Sequence, residues 1–233
     1  MGAQFAGDAI PTAAARRGGG QAGHRPPRAA RLTPWLAPAG LVLLSVVPVV
    51  AGAARLAELG GGATVTPDNA RFFAAPLPVV SHIVAVTLYA LLGAFQFAPR
   101  LRRGRRAWHR VAGRLLVPSG LVAALSGLWM NQFYALPAHD GAALYGMRLL
   151  FGWGMVLCLV LGVVALRRRA YAAHGAWMTR AYAIGLGAGT QVLTALPWIV
   201  LFGMPGEFAR AVQMGAGWVI NLLIAEWLIR RRG

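Results

Sequence analysis

"RRRAYAAHGAWMTR" (residues 167–180) decides how the chain is threaded. It is a short basic stretch between two long apolar runs, and arginines clustered at the ends of such runs mark the cytoplasmic face of a membrane. "RLRRGRRAWHR" (100–110) repeats the pattern earlier in the chain, and "RRRG" (230–233) closes it. Working outward from these clusters, six apolar runs fall at about 35–54, 77–98, 111–133, 141–166, 179–202 and 210–229. Each is near the roughly 20 residues needed to cross a bilayer. The opposite connections hold Arg55, Arg71 and Arg210, diluted by Glu58, Asp68, Asp140 and Glu207. This asymmetry predicts one alternating path with both termini in the cytoplasm.

Composition agrees. Of 233 residues, 58% are hydrophobic and 12% charged, whereas soluble domains carry roughly 25% charged residues. The expected fold is an all-α integral membrane protein of six transmembrane helices, with helices two to five forming a four-helix core. A net charge of +17 would suggest nucleic acid in a soluble chain, but here the arginines sit at helix ends, where they meet anionic lipid headgroups. The basic residues are all arginine, as in GC-rich bacterial coding, so the expected location is a bacterial cytoplasmic (inner) membrane. Residues 1–31 lack periodic apolar positions and read as a disordered basic cytoplasmic tail carrying His24; residues 35–229 form the membrane domain. The first run exceeds the 7–15-residue core of a signal peptide, so a retained anchor helix is expected. Cys158, alone in the chain, cannot form an intrachain disulfide.

The other four histidines fall near helix mouths. His82 and His139 belong to the outer ends of helices two and four, His109 and His174 to the inner ends of helices three and five. In an up-and-down bundle these pairs lie diagonally across the core. Two neutral imidazoles approaching from opposite sides are what a haem iron needs. The partial positive charge of a helix N-terminus favours the neutral ring. Arg110, Arg114 and Arg180 stand beside the inner pair, where guanidinium groups can meet haem propionates or lipid phosphates.

Helical phase extends the pattern. At about 100° per residue, His109 shares a face with Gly113, Gly120 and Gly127, and His174 with Met178, Gly185 and Gly189. Such glycines allow a flat ring to lie on the backbone, or simply allow close packing of membrane helices. His82, Tyr89, Gly93 and Gln96 form a stripe that should face inward, because polar groups are costly against lipid. Arg148 lies about 180° around the fourth helix from His139, so both face one core only if His139 precedes the regular helix. "LPAHDGAA" (136–143) permits that, and equally permits His139 to be an exposed loop residue.

The strings "HRVAGR" (109–114) and "HGAWMTRAYA" (174–183), with "SHIVAVTLYALLGAFQF" (81–97), resemble the bacterial membrane-protein family DUF2306, a domain of unknown function. The matching residues are His82, His109, Arg110, Gly113, Arg114, His174, Trp177, Met178 and Arg180. The resemblance implies a membrane location and no activity. A weaker resemblance in helix order is to the transmembrane two-haem cytochromes b that act as ascorbate or ferric reductases, and it implies haem on helices two and four and on three and five.

Two function classes follow. One is a b-type haem electron-transfer protein, a candidate transmembrane oxidoreductase, with His109 and His174 as inner ligands, His82 and His139 as outer ligands, and Arg110, Arg114 and Arg180 near the propionates. The other is a non-redox protein, a small transporter or a subunit binding lipid or quinone, in which the same arginines hold lipid phosphates. Gln96, Asn131, Arg148, Gln191 and Thr194 would then line a passage. Glu226, four residues before Arg230, reads as a structural i,i+4 partner. The chain lacks a phosphate-binding glycine motif and a cysteine-based metal site, which argues against soluble-enzyme chemistry.

Overall fold

The computed structural model describes residues 28–98, 106–137 and 139–231. They form helices α1 (Arg28–Gly60), α2 (Ala70–Ala74), α3 (Pro76–Gln96), α4 (Arg106–Phe133), α5 (Ala142–Arg167), α6 (Tyr171–Gly185), α7 (Gly187–Phe202) and α8 (Glu207–Arg230). No strand occurs among the described residues. Five of these helices have the length and apolarity to cross a membrane, and the α6–α7 pair, bent by 42°, brings the number to six when counted as one span. The protein is a multi-pass helical membrane protein.

The helices are apolar nearly all round because both faces must be satisfied, one by other helices and one by lipid. Leu43, Leu150, Val200 and Leu201 are each more than two-thirds exposed. In water such side chains would form an untenable patch; around a bundle they form the hydrocarbon-facing belt. The inward positions are small or aromatic. Tyr89, Leu116, Met155, Leu159, Ala181 and Tyr182 form the buried core.

Helices α3, α4, α5 and α6 pack in sequence around this core, with α3 also touching α6. The second and fourth spans, like the third and fifth, are therefore diagonal, as the sequence predicts. Outside this ring, α1 packs on α3 and α7, while α8 packs on α5, α6 and α7.

Several boundaries differ from expectation. The first helix begins at Arg28 and runs to Gly60, so residues 28–31 are helical rather than tail; the rest of the expected tail, with His24, lies outside the described residues. The fifth span starts at Tyr171, eight residues before the apolar run at 179, and is broken at Leu186. Gly185 and Gly187 flank Leu186, and Gly187 admits the Trp218 indole so closely that a Cβ would lie 2.3 Å from Nε1. Asn221 of α8 donates to the Ala183 carbonyl at 3.0 Å and accepts from the Thr190 hydroxyl at 2.7 Å. A carbonyl that the ending helix leaves over is thereby satisfied from a neighbouring helix, as a break inside a membrane requires.

Candidate functional site: a cavity at the Asp140 end

The described loop between α4 and α5 turns tightly, with Asp140 N–H donating to the Pro137 carbonyl at 2.9 Å. The turn carries the Asp140 side chain inward, where it is only 1% exposed. Arg148, two turns into α5, approaches Oδ2 at 2.6 Å, and Arg210, in the first turn of α8, donates from Nε to Oδ1 at 2.5 Å. Burial by itself would raise the Asp140 carboxyl, but hydrogen bonds and charge from Arg210 and Arg148 outweigh it and hold the group below the usual carboxylate range. This answers the problem of Arg148, whose guanidinium faces the bundle and is paired there.

These residues form the mouth of a cavity of about 390 Å³, within the size range of small-molecule sites. Arg71 adds a third cation, its Nη1 donating to the Ala135 carbonyl at 3.1 Å and its guanidinium resting 4.7 Å from the Phe72 ring. The lining thus holds three arginines and one carboxylate, and only Arg148 and Arg210 are paired with it. Glu207 packs over Gly141 beside the mouth but does not line it.

The walls are apolar and aromatic. Phe151 and Trp218 stack with ring centroids 4.7 Å apart and an interplanar angle of 24°, and Met155, Leu128 and Ile184 continue the lining. His82 stands on the α3 side. Its Nδ1 lies 2.9 Å from the Ala123 carbonyl and 3.1 Å from Ser126 Oγ. Because a carbonyl only accepts, Nδ1 carries the proton, and in the neutral ring Nε2 is left as an acceptor. Gly127 makes room for this ring, since a Cβ there would lie 3.3 Å from Cε1. A second cavity of about 210 Å³ lies between α1, α3 and α7 and shares His82, Val86, Gly185 and Ala188 with the first.

The expected inward stripe on α3 is present, with Tyr89 and Gly93 buried and His82 and Gln96 half-buried. Of the four expected histidine ligands, His82 lines the cavity, and His139, His109 and His174 do not. His139 lies on an exposed turn and does not line the cavity. At the other end, His109 is half-buried in the first turn of α4, and His174 directs Nδ1 to the Gly162 carbonyl at 2.8 Å.

Of the glycines on the expected faces, Gly113 is open, while Gly120, Gly127, Gly185 and Gly189 are covered by protein atoms, as is Gly162. Tyr89 lies against Gly120 and Gly185, Met178 against Gly162, and Leu44 against Gly189. The cavity left near Gln96, Met178 and Tyr182 measures about 60 Å³, room for about two waters. Arg180 is committed elsewhere: it forms a two-point pair with Glu226, at 2.5 Å and 3.0 Å, and lies 4.7 Å from the Trp177 ring. Glu226 thus pairs across to α6 in place of the expected Arg230. Arg110 and Arg114 point outward and are exposed.

The Asp140–Arg148–Arg210 cluster was not anticipated from the sequence. The available signal was an arginine inside an apolar run, which demands a partner, in a chain with only six acidic residues.

A family model described as "Predicted membrane protein (DUF2306)" matches residues 79–229, from α3 to the end of α8. No curated protein and no solved structure matches the chain.

Proposed function

The chain belongs to the predicted membrane protein family DUF2306, and from its cavity we propose that it binds a largely apolar ligand with an oxygen-rich head, of the lipid or quinone class. The observation that carries this reading is the aromatic-lined cavity of about 390 Å³ whose lining includes Arg71, Arg148, Arg210 and one carboxylate, Asp140. Positive charge gathered at a cavity mouth favours a ligand head that presents acceptor oxygens, which guanidinium groups bind by charge-assisted hydrogen bonds. The positive-inside rule puts this end on the outer face of a bacterial cytoplasmic membrane, and puts the exposed Arg110 and Arg114 at the inner headgroups.

A second reading uses the same cavity for one b-type haem, with His82 as its histidine ligand and Arg71, Arg148 and Arg210 toward the propionates. Its support is the commitment of His82 Nδ1 to a backbone carbonyl, the usual outer contact of a metal-bound imidazole. Bound haem would supply one-electron chemistry.

Calorimetric titration of the purified full-length protein with a short-chain benzoquinone tests the first reading. Wild type should bind, and Ala188→Phe, which places a ring where the two cavities adjoin, should lose most of the affinity. Equal binding by both proteins would refute the site. An absorption spectrum of the same sample decides the second reading: a b-type spectrum abolished in His82→Phe supports haem, and a featureless spectrum from cells supplied with haem precursor excludes it.

A further inference from the structure

Resting on the quinone-class reading of the cavity, we infer that His82 selects the reduced, hydroxyl-bearing form of the ligand, accepting a hydrogen bond from a ring hydroxyl at Nε2. The inference begins with the fixed orientation of the imidazole. Ser126 donates its hydroxyl to the Val122 carbonyl at 2.6 Å, so its oxygen, like the Ala123 carbonyl, presents an acceptor to His82 Nδ1. Both contacts demand that Nδ1–H be the donor. No described residue donates to Nε2. His82 lines the cavity, and with Nδ1 committed to the backbone a ligand donor can take up the Nε2 acceptor.

The surroundings restrict that donor. A cationic amine is disfavoured by the positive excess of Arg71, Arg148 and Arg210 over Asp140 in the same cavity. A neutral hydroxyl is not. The stacked Phe151–Trp218 pair puts two aromatic rings in the cavity lining, which suits a planar ring better than a flexible headgroup. The arginines then face oxygen acceptors on that ring while His82 faces a donor. A hydroquinone ring carries both groups. The oxidised quinone offers only acceptors and leaves Nε2 unpaired.

The test uses full-length protein, a short-chain benzoquinol held reduced under anaerobic conditions, and the dimethyl ether of the same quinol, which lacks the hydroxyl donors. Wild type should bind the quinol about tenfold more tightly than the ether, the size of one well-made hydrogen bond. His82→Phe should lower quinol affinity to that of the ether and leave the ether unchanged. His82→Gln, which keeps an acceptor, should recover part of the preference. Equal binding of quinol and ether by wild type overturns the role of His82, as does equal weakening of both by His82→Phe. Binding of neither probe overturns the cavity reading itself, and the inference with it.

Discussion

Arg148 reaches the Asp140 carboxylate at 2.6 Å, joining the second turn of α5 to the turn that precedes it. Arg210 holds the other carboxylate oxygen at 2.5 Å and ties in α8. One carboxylate therefore fixes three parts of the chain around the cavity mouth. Its side chain is 1% exposed, whereas those of Arg148 and Arg210 are 24% and 29% exposed. Removing the anion would leave two guanidinium groups facing one another at the mouth.

Asp140→Asn should therefore destabilise the protein by on the order of 3 kcal/mol, read as a lowered melting temperature in detergent. The pH dependence has a definite sign. Asp140 is held below its ordinary value of 3.8 in the folded protein. Its contribution is thus complete above that value and is lost as pH falls through the lower folded value. Melting temperature should show no Asp140 contribution to its slope between pH 7 and 5, and the part of its fall below about pH 4 that is due to Asp140 should vanish in Asp140→Asn.

The Tyr89 ring occupies the space over Gly120 and Gly185, where an added Cβ would lie 2.7 Å from the ring at either position. Gly185→Ala should cost about 1–3 kcal/mol through overpacking. Adding Tyr89→Leu should recover much of the loss, because the obstructing ring is gone. Thermal unfolding of the two single variants and the double variant checks this. Additive losses would contradict the packing role of these glycines.

Arg180 and Glu226 are 25% and 34% exposed, so solvent and headgroups screen the pair. Each single replacement, Arg180→Gln or Glu226→Gln, should cost less than about 1 kcal/mol. The double variant should cost no more than the larger single one. If Arg180 instead served an outside anion, Arg180→Gln would change lipid retention in mass spectra of the purified protein while Glu226→Gln would not.

The threading was legible because it rests on long-range averages. Six apolar runs and their arginine clusters survive errors of several residues, and the diagonal relation of the spans follows from their order. The break at Leu186 was hidden within the 179–202 run, because it depends on Asn221 and Trp218 from another helix. The candidate site was half legible. His82 was read as inward-facing and Arg148 as lining a passage in one of two readings, but their environment depends on which distant residues arrive. Asp140 and Arg210, 70 residues apart, meet only after folding. The glycine faces were read as open either to a flat ring or to close packing, and that Tyr89 covers Gly120 and Gly185 is a matter of three-dimensional fit. Arg180 illustrates the same limit: local sequence offers Arg230 to Glu226, and the fold brings Arg180 instead.

Photo-crosslinking with a short-chain azidoquinone, followed by peptide mass spectrometry, tests the central claim most directly. The account predicts adducts on cavity residues such as Met155, Met214 and Trp218, suppressed by excess unlabelled quinol and by Ala188→Phe. Adducts confined to lipid-facing residues such as Leu150 and Trp153, which are 68% and 57% exposed, and insensitive to competitor would contradict it.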